Sequence, residues 1–134
     1  MRAFAFLALV LMMAPAGQAW AQADCPAGEH RAITAQLFFG RLEAGGSVSD
    51  ADWRTFLDEV VTPAFPDGFS DWDADGQWRN SKGAIVKEPS KALLVVLPGR
   101  PDDHDRLTSV AAAYKARFRQ QSVLVVEQRE CAAF

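Results

Sequence analysis

From Thr34 onward the chain switches between a two-residue and a 3.6-residue hydrophobic period, and the order of those segments predicts the fold. Thr34-Ala35-Gln36-Leu37-Phe38-Phe39-Gly40 reads as an aromatic-rich strand, and Gly45-Gly46-Ser47 as a turn after it. Ser49 is placed to cap a helix, with Asp50 and Asp52 in the first turn, where the helix dipole favours negative charge. Trp53, Phe56, Leu57, Val60 and Val61 recur at helical spacing and form one apolar face. Thr62-Pro63 is expected to stop that helix, because the residue before a proline is pushed out of the α region.

Pro63 to Gly68 predicts a rigid turn, with Pro66 a candidate for a cis bond, leading into a second strand around Phe69 to Trp72. Asp73-Ala74-Asp75-Gly76 and Asn80-Ser81-Lys82-Gly83 both have turn composition and bracket Gln77-Trp78-Arg79, so the region reads as a long irregular hairpin arm. The arm returns through Ala84 to Glu88, kinks at Pro89 and becomes the most apolar strand, Ala92 to Leu97, which Pro98-Gly99 ends. Asp102 or Asp103 then caps a second helix with Leu107, Val110, Ala111, Tyr114 and Phe118 at helical spacing. Ser122 to Glu127 reads as the last strand.

The order β-α-β-β-α-β is the split pattern of an α+β, ferredoxin-like fold. It predicts an antiparallel four-stranded sheet in the order 4-1-3-2 with two helices on one face. Strands one and three then take the central positions, in keeping with their nearly continuous apolar runs. The start of strand one and the end of strand four lie side by side, which brings Cys25 and Cys131 together. A disulfide there would close a loop of roughly 105 residues and stabilise by about 4–5 kcal/mol on the chain-entropy estimate.

Residues 1–23 predict a cleavable signal peptide: Arg2, the uncharged run Ala3–Met13, a break at Ala14 to Gln18, and small residues at Ala19-Trp20-Ala21 and Ala21-Gln22-Ala23, either of which suits signal peptidase. The run is too short for the ~20 residues that span a bilayer. Lipidation of Cys25 is the competing reading, but Gln22-Ala23-Asp24 lacks the apolar lead-in for it. Export to the periplasm or beyond is therefore expected, with residues 24–134 as a single domain and an oxidising compartment for the two cysteines. The full chain carries 14 basic and 17 acidic side chains, and loss of Arg2 makes the remainder more acidic still. Nothing in that balance favours nucleic acid, or a membrane surface after cleavage.

Several of these segments, taken in order, resemble domain-of-unknown-function family 3574, a group of small exported bacterial proteins. The resemblance is carried by Thr34 to Gly40, Val48-Ser49 with Trp53 and Phe56-Leu57, Val61-Thr62-Pro63, Phe65 to Gly68, Gly76 to Arg79, Ile85 to Lys91, and Tyr114-Lys115 with Phe118, Gln120 and Ser122-Val123. It covers Thr34 to Phe134. It implies export and a one-domain α+β fold, and it implies no reaction and no catalytic residue.

Chemistry is therefore read from the residues. Asp71-Trp72-Asp73-Ala74-Asp75-Gly76 has the opening of a calcium loop, with Asp71, Asp73 and Asp75 as ligands. The twelfth position, where a bidentate Glu belongs, is Lys82, so an Asp-Gly turn with solvated carboxylates is the favoured reading. His30 and His104 are the only histidines, and neither sits in a zinc pattern; His104 reads as a solvated residue near a helix cap. No phosphate loop, dinucleotide fingerprint or nucleophile elbow occurs, so no cofactor is expected.

What remains is an aromatic and charged set for a ligand or partner: Trp72, Trp78, Arg79, Glu88 and Lys91 on the hairpin arm, with Tyr114 and Gln120 as neighbours. Glu88 is the one candidate general base, provided that it turns inward; the plainer alternative pairs it with Lys91 or Arg79. Two function classes follow. One is an exported non-catalytic module that binds a small molecule or a protein, with a homodimer through the open sheet face or through the last strand as a candidate. Gln36, Phe38, Ala92, Leu94 and Val96 share one sheet face. The other is a cofactor-free enzyme of the dimeric α+β barrel kind using Glu88. A buried Glu88 within reach of Arg79 or Tyr114 in a closed pocket would favour the enzyme.

Overall fold

The computed structural model describes residues 25–43 and 46–134, and the expected leader lies outside them. Four long strands, β1 (His30–Gly40), β4 (Ser70–Arg79), β5 (Ile85–Leu97) and β6 (Leu124–Ala132), form an antiparallel sheet in the spatial order β4-β5-β1-β6. A two-residue pair, β2 (Leu42–Glu43) and β3 (Gly46–Ser47), follows β1. Gly46 and Ser47 are thus the returning strand of a small hairpin rather than a turn. The protein is α+β, and the two strands with the most continuous apolar runs, β1 and β5, occupy its centre. On the face away from the helices Gln36, Phe38, Leu94 and Val96 are half-buried, so these strands show no clean polar alternation.

One face of the sheet carries the core. Ala35, Leu37 and Phe39 of β1 lie opposite Val95, Leu93 and Lys91 of β5. The helices α1 (Asp50–Phe56) and α3 (Asp103–Phe118) cover this face. Phe39, Trp53, Phe56, Tyr114 and Phe118 form the centre of the core, with the Phe39 and Tyr114 rings 4.7 Å apart and Phe39 and Trp53 5.2 Å apart. Tilted and edge-on pairs of this kind add roughly 0.5–1.5 kcal/mol each beyond their buried area.

Local chemistry explains how each helix begins and ends. Ser49 and Asp52 form a reciprocal capping box at the start of α1. The helix does not stop at Thr62. It widens into a π segment, Leu57–Val61, in which the Thr62 N–H reaches back to the Leu57 carbonyl, and resumes as α2 (Thr62–Ala64). Pro63 is accommodated because the wider turn moves away the carbonyl its ring would strike in a regular helix, and its missing N–H removes no bond that the π segment needs. No peptide bond is cis among the described residues, so Pro66 is trans. Asp102 holds the N-cap position of α3 without a side-chain bond. The buried Asp103 instead accepts the Arg100 backbone N–H at 2.7 Å and pairs with Arg106, whose guanidinium reaches the Ala64 carbonyl at 2.8 Å.

The hairpin arm is more regular than its composition predicts. Asp73 to Gly76 is not a turn; β4 runs unbroken through it, each residue paired with β5 from Asp73↔Lys91 to Gly76↔Glu88, and the chain reverses only at Asn80–Gly83. Cross-strand pairing along β5 outweighs the local turn preference. Pro89 does not interrupt β5 either. Its carbonyl accepts the Arg41 N–H at 3.0 Å, so its imide nitrogen faces the β1 side and costs no bond to β4.

Cys25 and Cys131 are joined, with Cα atoms 5.6 Å apart across a separation of 106 residues. Arg31 pairs with Cys131 in the β1–β6 ladder, which places the two chain ends next to each other.

Candidate functional site

The open face of the sheet ends in a cleft of about 510 Å³ whose floor is β1, β5 and β4 and whose far wall is the turn after α3. Glu88 sits in that floor. Its cross-strand partner is Gly76, and Gly40 approaches from β1. A Cβ on Gly40 would lie 2.7 Å from Glu88 Oε1, and one on Gly76 2.8 Å from the Ser90 hydroxyl. Two glycines therefore open the slot in which the carboxylate and the Ser90 hydroxyl lie.

The carboxylate is held at both oxygens. The Trp78 indole Nε1–H donates to Oε1 at 2.9 Å and the Leu42 backbone N–H to Oε2 at 3.2 Å. Gln120 donates to the Leu42 carbonyl at 2.7 Å, which fixes the wall from the other side. Much of the rim is apolar: Trp78 is 37% exposed, Leu42 44% and Leu124 59%, with Phe38 and Val86 beside them, while Gln77, Gln121 and Ser122 add polar lining. Arg119 stands at the mouth in a left-handed conformation, φ 53°, as the C-cap of α3. A half-buried carboxylate, a hydroxyl and an amide among aromatic and aliphatic side chains make a surface suited to a small molecule with an apolar body and a polar end.

Of the aromatic and charged set singled out from sequence, the structure brings three together here, Trp78, Glu88 and Gln120, and Asp75, the alternative calcium ligand, also lines the cleft. The others are elsewhere. Lys91 is one register step out of phase with Glu88, so it faces the helices, buried, and bonds Asp73 at 2.5 Å and Asp50 at 3.3 Å. These two carboxylates hold its ammonium above the ordinary lysine value despite burial, and Lys91 in turn holds Asp50 below the ordinary carboxylate value. Arg79 donates to the Gly83 carbonyl at 2.7 Å within the hairpin turn. Glu88 thus pairs with neither Lys91 nor Arg79. Tyr114 is buried in the core and donates to the Gly40 carbonyl at 2.9 Å, so it supports the strand beside Glu88 without touching the cleft. Trp72 is 43% exposed on the open face, opposite Ala92 and outside the cleft.

Gly40, Gly76, Ser90 and Arg119 are site residues that composition alone did not single out. The i, i+2 relation of Glu88 to Ser90, and of Gly76 to Trp78, is the signal that places them on one face. Asp71, Asp73 and Asp75 lie along an extended strand, Asp71 accepts the Trp53 indole N–H at 2.9 Å, and Asp73 is bound to Lys91. No cluster of His, Cys, Asp and Glu able to hold a metal occurs among the described residues. His104 is exposed and contacts Glu127 at 2.7 Å.

Gln36, Phe38, Ala92, Leu94 and Val96 do share the open face, where Gln36 pairs with Leu94 and Phe38 with Ala92. Leu124 and Val126 of the edge strand β6 continue it.

Comparison with solved structures finds the same fold in a phage SAM lyase in complex with S-methyl-5'-thioadenosine, at 15% identity and a TM-score of 0.59, covering 84% of this chain and 95% of that one. The apo state of a phage SAM lyase matches at 16% identity and a TM-score of 0.57, with the same coverage. No curated protein matches the chain. The family model described as "Protein of unknown function (DUF3574)" matches residues 34–134, and the chain belongs to that family.

Proposed function

We propose that this is an exported, non-catalytic binding module that takes a small molecule in the Glu88 cleft. The carrying observation is the Glu88 carboxylate itself, fixed at both oxygens by Trp78 and Leu42 and left facing an apolar-rimmed cleft. A carboxylate ordered in advance loses little further freedom when a ligand donates to it. The bridge between Cys25 and Cys131 supports export to an oxidising compartment, periplasmic or extracellular. The ferredoxin-like arrangement of the split β-α-β units belongs to the same reading, since it leaves one sheet face for ligand or partner. A second copy on that face is the partner we favour. Trp72, Leu124 and Val126 are exposed there beside Phe38, Leu94 and Val96, and four strands about 4.8 Å apart offer an area of the order that stable dimers use.

Native mass spectrometry of protein released from the periplasm without reductant tests the binding reading. A small molecule carried by wild type and absent from Glu88→Gln supports it; two identical unliganded spectra oppose it.

A cofactor-free enzyme of the dimeric α+β barrel kind, with Glu88 as general base, is the second reading. The phage SAM lyase structures, one with S-methyl-5'-thioadenosine, support it through fold alone. Against it, Arg79 and Tyr114 bond elsewhere, and Glu88 stands in an open-sided cleft. It requires that Glu88→Gln bind the ligand and fail to turn it over.

A further inference from the structure

We propose that the cleft selects an organic cation: a protonated amine on a flat aromatic or apolar body. This rests on the binding reading above and adds the charge and shape of the ligand.

Several carboxylates elsewhere on the sheet and helices find cations of the chain itself, whereas Asp71 and Glu130 accept only neutral donors among the described residues. Asp50 and Asp73 share Lys91, Asp103 has Arg106, and Glu59 has Arg117. Glu88 has two neutral N–H donors and no ion pair among the described residues. Each of its oxygens accepts one of those bonds and keeps capacity for another, so the site offers negative charge and open acceptor positions together. A cation arriving there makes a charge-assisted hydrogen bond, about twice as strong as a neutral one.

The walls suit the rest of such a ligand. Phe38 and Trp78 present aromatic surface, and Leu124 and Val86 aliphatic surface, around the same carboxylate. Aromatic faces attract ammonium groups and tolerate a planar body, which neither a metal ion nor a polyanion would use. Arg119 is the competing charge and would draw an anion. It is exposed at the mouth, where solvent screens it, whereas Glu88 is half-buried in the floor, where a charge contact counts for more.

Three probes with the same phenyl body test this: 2-phenylethylammonium, 2-phenylethanol and 3-phenylpropionate, titrated into the oxidised protein. The readout is the NMR signal of the Trp78 indole N–H, which lies on Glu88. The ammonium probe is expected to bind about tenfold more tightly than either of the others, in keeping with a charge-assisted contact, and Glu88→Gln is expected to abolish that preference. Circular dichroism of the variant checks that its fold is kept. Equal or tighter binding of the alcohol or the acid overturns the cation assignment while leaving a small-molecule cleft in place, as does a preference that survives in Glu88→Gln. Failure of all three probes to move the Trp78 signal overturns the cation assignment and counts against the cleft as well.

Discussion

Gly40 lies so close to Glu88 that a methyl group on its Cα would come within 2.7 Å of the carboxylate oxygen Oε1. The Gly40 backbone is not in the left-handed region, so alanine is allowed there by torsion and excluded only by Glu88. Gly40→Ala is expected to push the carboxylate off the Trp78 indole and the Leu42 N–H. Loss of such bonds costs about 1–3 kcal/mol. Urea denaturation measures the loss, and a shifted Trp78 indole N–H resonance locates it; an unmoved resonance would show that the carboxylate is not held as described.

The bridge between Cys25 and Cys131 closes nearly the whole described chain. Reduction, or replacement of both cysteines by serine, is expected to destabilise the protein by about 4–5 kcal/mol through the entropy returned to the unfolded chain. Urea unfolding with and without dithiothreitol measures this, and identical midpoints would mean that the bridge constrains nothing.

Lys91 and Asp50 contribute to the pH dependence of stability. Asp50 has its carboxyl held below the ordinary value of 3.8, chiefly by the hydrogen bond from Lys91, so its contribution is present above that value and lost as pH falls through the lowered one. Lys91 is held above 10.5, chiefly by its bond to Asp73, so its contribution is complete below 10.5 and lost as pH rises through the raised value. The urea midpoint is expected to fall at both acid and alkaline extremes. In Lys91→Met the alkaline fall attributable to this lysine should vanish and the acid limb should weaken; an unchanged profile would separate stability from this cluster.

Much of the architecture could be read from residues whose local preference agrees with their packing. Leu37, Phe39, Leu93 and Val95 announced central strands, and Trp53, Phe56 and Val61 announced one helix face; all are buried where that pattern requires. The Cys25–Cys131 pairing followed from the neighbouring ends of the first and last strands. The errors come from places where tertiary pairing overrode composition. Asp73 to Gly76 has turn chemistry, yet Lys91 neutralises Asp73 and β5 supplies a full ladder, so the segment stays extended. Pro63 should end a helix, but the π segment before it relieves the clash.

At the site, Trp78, Glu88 and Gln120 were legible as an aromatic and polar group, whereas Lys91 was wrongly joined to them. The strand period alone separates Lys91 from Glu88, since an odd spacing puts them on opposite faces. The glycine walls, Ser90 and Arg119 could not be placed without the strand register.

Arg119 adopts φ 53° at the end of α3, a conformation that glycine reaches without strain. Arg119→Gly is expected to raise stability by about 0.5–1 kcal/mol. Because it also removes the competing cation at the mouth, it should strengthen binding of 2-phenylethylammonium. Thermal denaturation and the same titration measure both effects, and weaker binding would mean that Arg119 holds the ligand rather than opposing it.

The most direct measurement is a crystal structure of the protein purified in its oxidised form, without added ligand. The account expects extra density lying between Phe38, Trp78 and Leu124 with one polar end on Glu88. An empty cleft, with a bound molecule on some other surface, would contradict it.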